Sequence, residues 1–419
     1  MPEPDATALA NLEFAEDVVR RLREAGYQGL WAGGCVRDIL LGLEPADYDV
    51  ATDATPEQVM KGLPYRSLPI GASFGVVRVR HPRRRGIEIE VATFRSDLAY
   101  IDGRRPTGVV FSSPELDAAR RDFTINGMFM DPEGRRVIDY VGGRSDLDAR
   151  LLRAIGDPSA RFDEDKLRLL RAVRFAARFD LEIEPETLSA LKRMAAQVVV
   201  VSPERIAQEL RRMLVHRNRV SAMRMAMDFG LIAAVLPPVS KLDGDAWNET
   251  LRVLEALPEH PDFTLAFAAL LHGIDGRTAD ELGRRLRLSN ADRERAAWLV
   301  VHQGDLVDAP NLGDARLKRM LAKPGVDELL TLHRAIATAS TGDDRHVDYC
   351  EDYRRRQPSG PINPPPLLTG DDLVRHGLKP GARFATLLDQ VRDAQLDGRI
   401  STKDEALAWI DRSDGGELE

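Results

Sequence analysis

Residues 33–52 read GGCVRDILLGLEPADYDVAT. A glycine pair follows the apolar run GLWA, Arg37 and Asp38 come next, and the stretch closes on Asp47 and Asp49. In a strand, residues i and i+2 share a face, so YDVAT would aim both carboxylates at one point. Two like charges that close call for a cation between them. Mg²⁺ takes hard oxygen ligands and commonly completes its shell with phosphate oxygens. The same acids also fit an ordinary edge strand, and the glycines a plain tight turn. The order of the parts is more specific. Backbone N–H groups at Gly33 and Gly34 can face an anion at a helix start, and Arg37 can add a bidentate phosphate contact.

The flanking sequence predicts a small α+β domain over residues 1–150. Phe14–Ala25 has helical periodicity and stops at Gly26. VRDILLG reads as a short helix between the strands GLWA and YDVAT. Thr55 and Pro56 mark a helix start, as N-cap and first helical residue. VVRVR and IEIEVATF alternate apolar and polar residues, the pattern of half-buried strands, and HPRRRG between them reads as a hairpin turn. From Glu164 onward the spacing turns helical: DEDKLRLLRAVRFAARF, PETLSALKRMAA, SPERIAQELRRMLV and later segments. The valines of AAQVVVVS fit either helix or strand. Gln357–Pro366 is a stiff proline-rich linker. The expected organisation is a head (1–150), a helical neck (151–215), a helical body (216–356) and a helical tail (357–419).

The chain has 419 residues, 43% hydrophobic and 30% charged, with no apolar run of the roughly 20 residues that span a bilayer. The acidic N-terminus lacks the apolar core of a signal peptide, so a cytoplasmic location is expected. Cys35 and Cys350 are too far apart in sequence to suggest a disulfide framework, and no Cys/His spacing resembles a zinc site. The formal net charge of −8 argues against a nucleic-acid partner as a whole-molecule average, but binding depends on local clusters. Basic residues gather at Arg83–Arg85, at Arg104 and Arg105, at Arg120 and Arg121, and along Arg168, Arg171, Arg174 and Arg178. Each alone fits a solvated face, and their concentration in the first 180 residues favours an anionic ligand.

These motifs occur together with ARRDFTINGM, DEDKLRLLRAVRF, SPERIAQELRRML and a tail reading LLTGDDLVRHGLKPG and AQLDGRISTKDEALAWI. The set resembles class II tRNA nucleotidyltransferases, the CCA-adding enzymes, and their bacterial poly(A) polymerase relatives. The resemblance spans most of the chain. It implies a DNA-polymerase-β-like head followed by an all-α extension, with tRNA 3′ ends, ATP and CTP as partners. Asp47 and Asp49 would hold catalytic Mg²⁺, while Gly34 and Arg37 cradle phosphates. Arg121 would contact the nucleotide and Asp122 the ribose hydroxyls. Asp165 and Arg168, expected as neighbours on one helix from Glu164, would read the base, with Arg171 and Arg174 as further contacts. Without the resemblance, that helix would read as a charged face making its own ion pairs. Glu90 is the expected auxiliary carboxylate, although Glu88 shares its face.

Two departures matter. Where some relatives carry a phosphohydrolase His-Asp pair, this chain has His272-Gly273, so the segment reads as a structural helix end. The stretch from Arg95 to Asp122 keeps a loop of near-full length, including DGRRP, which disfavours CC-only addition and leaves CCA or A addition. ELDAA stands before Arg120 where relatives carry a more charged run. Poly(A) synthesis, or an inactive RNA-binding relative, are the rival readings. Intact acids beside a phosphate site argue against the second.

Overall fold

The computed structural model describes residues 6–71, 75–97, 108–357 and 361–414. It divides into two compact units, Met1–Lys241 with Arg285–Arg287, and Leu242–Arg284 with Leu288–Glu419. The boundary at Lys241 falls within the expected body segment.

The first unit opens with α1 (Ala6–Glu24), which starts at Ala6 where periodicity suggested Phe14. Its buried residues, among them Ala10, Phe14, Val18 and Leu22, recur every four and form one apolar stripe. β1 (Leu30–Ala32), α2 (Gly34–Leu40), β2 (Asp49–Thr52) and α3 (Pro56–Gly62) follow. α3 is held by the expected cap: Thr55 accepts from the Gln58 N–H and the Gln58 side chain accepts from the Thr55 N–H. Then come β3 (Ser67–Gly71), β4 (Val76–Arg80), β5 (Glu88–Thr93), the small ribbon of β6 (Arg95–Asp97) and β7 (Val109–Phe111), α4 (Pro114–Ala119), β8 (Phe129–Asp131) and β9 (Arg136–Ile138). Seven strands form one sheet in the order β3-β4-β5-β2-β1-β8-β9. Only β2 and β5 pair in parallel.

Alternation gives this sheet two faces. Burial along β5 alternates, with Ile89 and Val91 inside and Glu88 and Glu90 partly exposed. α1 packs against β2 and β5. On the Asp49 side, Leu30, Ala32, Ala51, Phe94, Ala118 and Phe129 form an apolar cluster. Strand directions then decide what shares an end of the sheet. Ala32 stands opposite Asp49, Asp49 beside Glu90, and Arg80 opposite Glu88. The glycine turn after β1, the two aspartates before and at the start of β2, and the turn from β4 to β5 therefore lie at the same end.

The rest of the first unit is mainly helical: α5 (Gly143–Asp148), α6 (Pro158–Glu164), α7 (Leu167–Phe179), α8 (Pro185–Met194), α9 (Pro203–Leu214), α10 (Arg219–Asp228) and α11 (Leu231–Val235). A two-stranded parallel pair, Leu151–Leu152 with Glu182–Ile183, ties residue 151 to the end of α7. The ambiguous valines form a 3₁₀ helix, Ala195–Val200.

The second unit is helical from Gly244–Ala256 to Lys403–Asp414, with no strand among its described residues. Its last part has a core of its own, in which Leu373, Val391, Ile400 and Ile410 are buried together. The helix Phe263–Leu270 ends just before His272, and Gly273 takes φ +84° there. The α+β head and helical extension expected from the sequence are what the chain forms. No helix among the described residues is long and apolar enough to cross a membrane.

Candidate active site

Apart from Glu90, every residue named above for catalysis or nucleotide binding, from Gly34 to Arg174, lines one cavity of about 530 Å³ in the first unit. Residues 90 apart or more in the chain are brought together there by the sheet end on one side and by α7 on the other. Asn126, Phe175, Arg178 and Arg205 line it as well.

The sheet side carries the acids. Asp47 and Asp49 are both exposed at the cavity, and buried Tyr48 between them packs on Trp31 with ring centroids 5.0 Å apart. That alternation turns both carboxylates to one side. The protein crowded around Asp49 strips part of its hydration, and the charges of Asp47 and Glu90 add to this, raising its pKa from 3.8 to about 6; Arg121 pulls the other way. Glu90 is level with Asp49 in the ladder, and its carboxylate accepts from Arg78 at 3.0 Å. Glu88 instead pairs with Arg80 at 2.8 Å. Of the two glutamates, Glu90 is the one whose charge reaches Asp49.

Gly33 has φ +70° and ψ −119°, a conformation that needs glycine, and a Cβ there would meet Arg121 Nη1 at 2.7 Å. Arg37 is buried and already engaged. Its Nε and Nη2 donate to Asp38 at 2.8 and 2.7 Å, its Nη1 donates to Asn126 at 2.5 Å, and it lies 4.3 Å over the Phe179 ring. Two of its five N–H donors remain for a ligand. Arg121 is fixed from behind by Asp117, which accepts from Arg121 at 3.0 Å and from Arg120 at 2.6 Å. Against the cost of its burial, those two arginines hold Asp117 below the usual carboxylate range. Asp117 belongs to the ELDAA segment that departs from the relatives' pattern, and it proves to be the anchor of both arginines. Arg104 and Arg105, with the rest of 98–107, lie outside the described residues.

The helical side corrects one expectation. Glu164, Asp165 and Arg168 do not share a helix: α6 ends at Glu164, Asp165 is extended at φ −149° and ψ 104°, and α7 begins at Leu167. The break is built by Asp165 itself, whose Oδ1 accepts from the Leu167 N–H at 3.0 Å. Arg205 of α9 then grips both carboxylate oxygens, at 3.1 and 2.6 Å. Arg168 does not pair with Asp165. It donates to Glu164 at 2.5 Å and to the carbonyls of Arg161 and Arg120 at 2.7 and 3.3 Å, with its Nε–H and one Nη2–H left over.

Deeper in, Arg171 and Arg174 of α7 each have an acid. Arg171 donates to Asp122 at 2.8 Å, and Arg174 to Glu209 at 2.5 Å. Glu209 is fully enclosed and also accepts from Arg212 at 3.2 Å. Asp122 further accepts from the Asn126 amide at 3.0 Å and the Phe123 N–H at 2.8 Å. Although burial opposes it, Arg171 and these donors hold Asp122 far below the usual carboxylate range. Arg174 lies 4.1 Å and Arg171 5.0 Å from the Phe175 ring centre, so one aromatic spaces the two guanidinium groups. Arg178, exposed at the rim, has no carboxylate partner among the described residues.

Asp117, Asn126, Phe175, Arg205 and Glu209 are not marked as site residues by the sequence, and Arg178 stands there only as one of the basic series. Acids matched to arginines at separations of 35 and 49 residues leave no local signal. The spacing of Arg205 and Glu209, four apart in SPERIAQEL, was the one hint available.

Comparison with known proteins shows the family. Residues 30–153 match the family model "Poly A polymerase head domain", and residues 180–242 match "Probable RNA and SrmB- binding site of polymerase A". The CCA-adding enzyme of Bacillus licheniformis is 31% identical over 412 residues, 94% of this chain and 96% of that protein. The CCA-adding enzyme of Geobacillus stearothermophilus is 32% identical over 403 residues, 94% of this chain and 95% of its own. Among solved structures, the Bacillus stearothermophilus CCA-adding enzyme in complex with CTP superposes with a TM-score of 0.79, at 29% identity, covering 97% of this chain and 98% of the other. With matches of that identity running nearly end to end in both partners, this chain belongs to the family of CCA-adding enzymes.

Proposed function

We propose that this protein adds C, C and A in turn to the 3′ end of tRNA from CTP and ATP, without a template strand, releasing pyrophosphate. The observation that carries this reading is the single cavity, in which an acidic strand end faces a wall of arginines and a protein-borne acid–arginine pair. Its partners, tRNA and the two triphosphates, put the activity in the cytoplasm.

The acids fit a divalent ion. Asp47 and Asp49 are hard oxygen donors, and Asp49 is crowded by Asp47 and Glu90, a repulsion that a cation relieves. Among the described residues no group of three or more such side chains closes a metal cage. Two carboxylates would then leave positions for phosphate oxygens and water, as Mg²⁺ prefers. When bound, the ion would supply charge stabilisation to the α-phosphate and lower the pKa of the attacking 3′-hydroxyl. The rest falls to the chain itself. Arg178, free of a carboxylate, and the remaining donors of Arg37 offer charge to the triphosphate. Arg121, braced by Asp117, would contact the nucleotide.

Base choice would rest on Asp165 and Arg168. Cytosine and adenine both offer an amino group beside a ring-nitrogen acceptor on their Watson–Crick edges. Asp165 keeps one lone-pair site, on Oδ2, for the amino group while Arg205 holds its plane, and the Nε of Arg168 would donate to the ring nitrogen. Guanine and uracil present a carbonyl and a ring N–H instead, which opposes like with like. A site built on such bonds rejects mismatches by about 10⁴-fold. Asp122, saturated by Arg171 and Asn126, serves chiefly to hold Arg171.

The test offers tRNAs ending at the discriminator base, at C and at CC, each with CTP alone, ATP alone and both. Full CCA synthesis extends the first by three nucleotides and stops. An A-adding enzyme extends only the CC end, and continued A addition would make the protein a poly(A) polymerase.

A further inference from the structure

The run Arg83–Arg84–Arg85 takes no part in the cavity. It occupies the exposed turn between β4 and β5. That turn is built, not loose. The Nδ1 of His81 accepts from the backbone N–H groups of Arg83 and Arg84, at 3.1 and 2.9 Å, and the His81 N–H donates to the Ile87 carbonyl at 3.0 Å. The imidazole stands edge-on to Phe14 of α1, centroids 4.8 Å apart. Partial burial and the charges of Arg84 and Arg83 hold His81 below its ordinary pKa, which keeps Nδ1 an acceptor.

The charges in this turn are also unmatched. On the strands behind it, Arg78 and Arg80 are paired with Glu88 and Glu90. Among the described residues, Arg83, Arg84 and Arg85 have no carboxylate partner. Arg84 makes one contact, with the Ala6 carbonyl at 3.4 Å. Three adjacent guanidinium groups at a fixed turn, in a chain of net charge −8, form a local anion-binding surface.

Its place in the sheet names the anion. Glu90 stands beside Asp49, and Arg85 precedes Glu90 by five residues, a reach of at most about 17 Å at strand rise. Along a stacked strand with a phosphate about every 3.4 Å of axis, that is about five nucleotides. We propose that the Arg83–Arg85 turn is an RNA contact on the head, binding backbone phosphates within about five nucleotides of the 3′ end that reaches Asp47 and Asp49. This rests on the function proposed above only in that an RNA end comes to those acids.

The test measures binding, separately from catalysis. Affinity of the full chain for a tRNA ending in CC is followed across about 50 to 200 mM salt for wild type, for R83A/R84A/R85A and for R83K/R84K/R85K. The alanine variant should bind about tenfold more weakly and lose about 2 to 3 from the slope of log affinity against log salt, at 0.7 to 0.9 per phosphate contact. The lysine variant should keep most of that slope. The single reversal R85E should weaken binding more than R85A does. For the alanine variant, kcat at saturating tRNA should stay within about twofold and the KM for CTP should not move, since neither depends on this turn. Wild-type affinity and slope in the alanine variant would overturn the proposal. So would loss of binding to anionic phosphatidylglycerol vesicles with tRNA binding intact, which would assign the turn to a membrane surface. A wild-type protein that binds tRNA but adds no nucleotide would count against the proposed function and leave this contact standing.

Discussion

The carboxylates on the two walls of the cavity keep different company. At the helical wall Asp122 pairs with Arg171 and Asp165 with Arg205, and behind the lining arginines Glu209 pairs with Arg174 and Asp117 with Arg120 and Arg121, all within 3.2 Å. On the sheet wall Asp47 and Asp49 have none among the described residues, and Asp49 meets two further negative charges. Asp117 and Asp122 are held in the charged form by their partners. Asp49 is crowded toward the neutral form and gains from an added cation. Charge matching therefore separates acids that build the site from acids available for its chemistry.

The sharpest way to break this contrast is to remove one acid from each wall. Asp49→Asn, or Asp47→Ala, should lower nucleotide addition by roughly 10³-fold or more, because metal charge stabilisation is worth several kcal/mol. In metal-free buffer Asp49→Asn should leave the melting temperature unchanged or raised, since a repulsion is gone, and tRNA binding should persist. Near-normal turnover at saturating Mg²⁺ would sink the assignment. Glu209→Ala should do the reverse. It strands Arg174 without its acid and should cost about 3 kcal/mol of stability, read from denaturant unfolding, with milder effect for Glu209→Gln.

Asp165 sharpens the comparison, since it is matched by Arg205 yet would face the base. Asp165→Ala should erode discrimination against GTP and UTP by about 10²-fold, measured as kcat/KM for the four nucleotides. Arg205→Ala should cost about tenfold in selectivity, because it loosens the carboxylate without removing it. Equal selectivity in wild type and Asp165→Ala would reduce this pair to a structural tie.

Titration gives the smallest effect and a direct view of the two walls. Asp49 has a folded pKa raised above 3.8, so its contribution favours folding at low pH and is lost as pH rises through about 6. Asp117 and Asp122 are depressed, so their contributions are present above the ordinary value and vanish only at lower pH. In metal-free buffer, labelled aspartate carboxyl shifts should report proton uptake at Asp49 between about pH 7 and about pH 5, with Asp117 and Asp122 unmoved. Protonation of Asp122 in that window would contradict its pairing with Arg171.

What could be read beforehand was local. The alternation of YDVAT, the Thr55 cap and the turn at HPRRRG each depend on a few adjacent residues, and each formed. β3 contains Pro69, while β6 to β9 are three residues long, too short to show a period. The break at Asp165 was hidden because DEDKLRLL continues a helical pattern, while the residue that fixes the carboxylate, Arg205, is 40 positions away. Glu209 read as an ordinary polar position on α9, and only packing against Arg174 made it interior. The residues proposed to touch substrate carry recognisable motifs here, whereas those that hold them in place do so over distances no local pattern records.

The extended residue between α6 and α7 has a consequence for anyone wishing to alter this protein. A reader mounted on a regular helix could be re-aimed only by rotating the whole rod and everything packed against it. Asp165 sits instead on a single non-helical residue, steered by one side chain from another helix. On the proposed reading, reprogramming the nucleotide alphabet therefore calls for substitutions at residues 165, 168 and 205, and the acids at the end of the sheet can be left as they are.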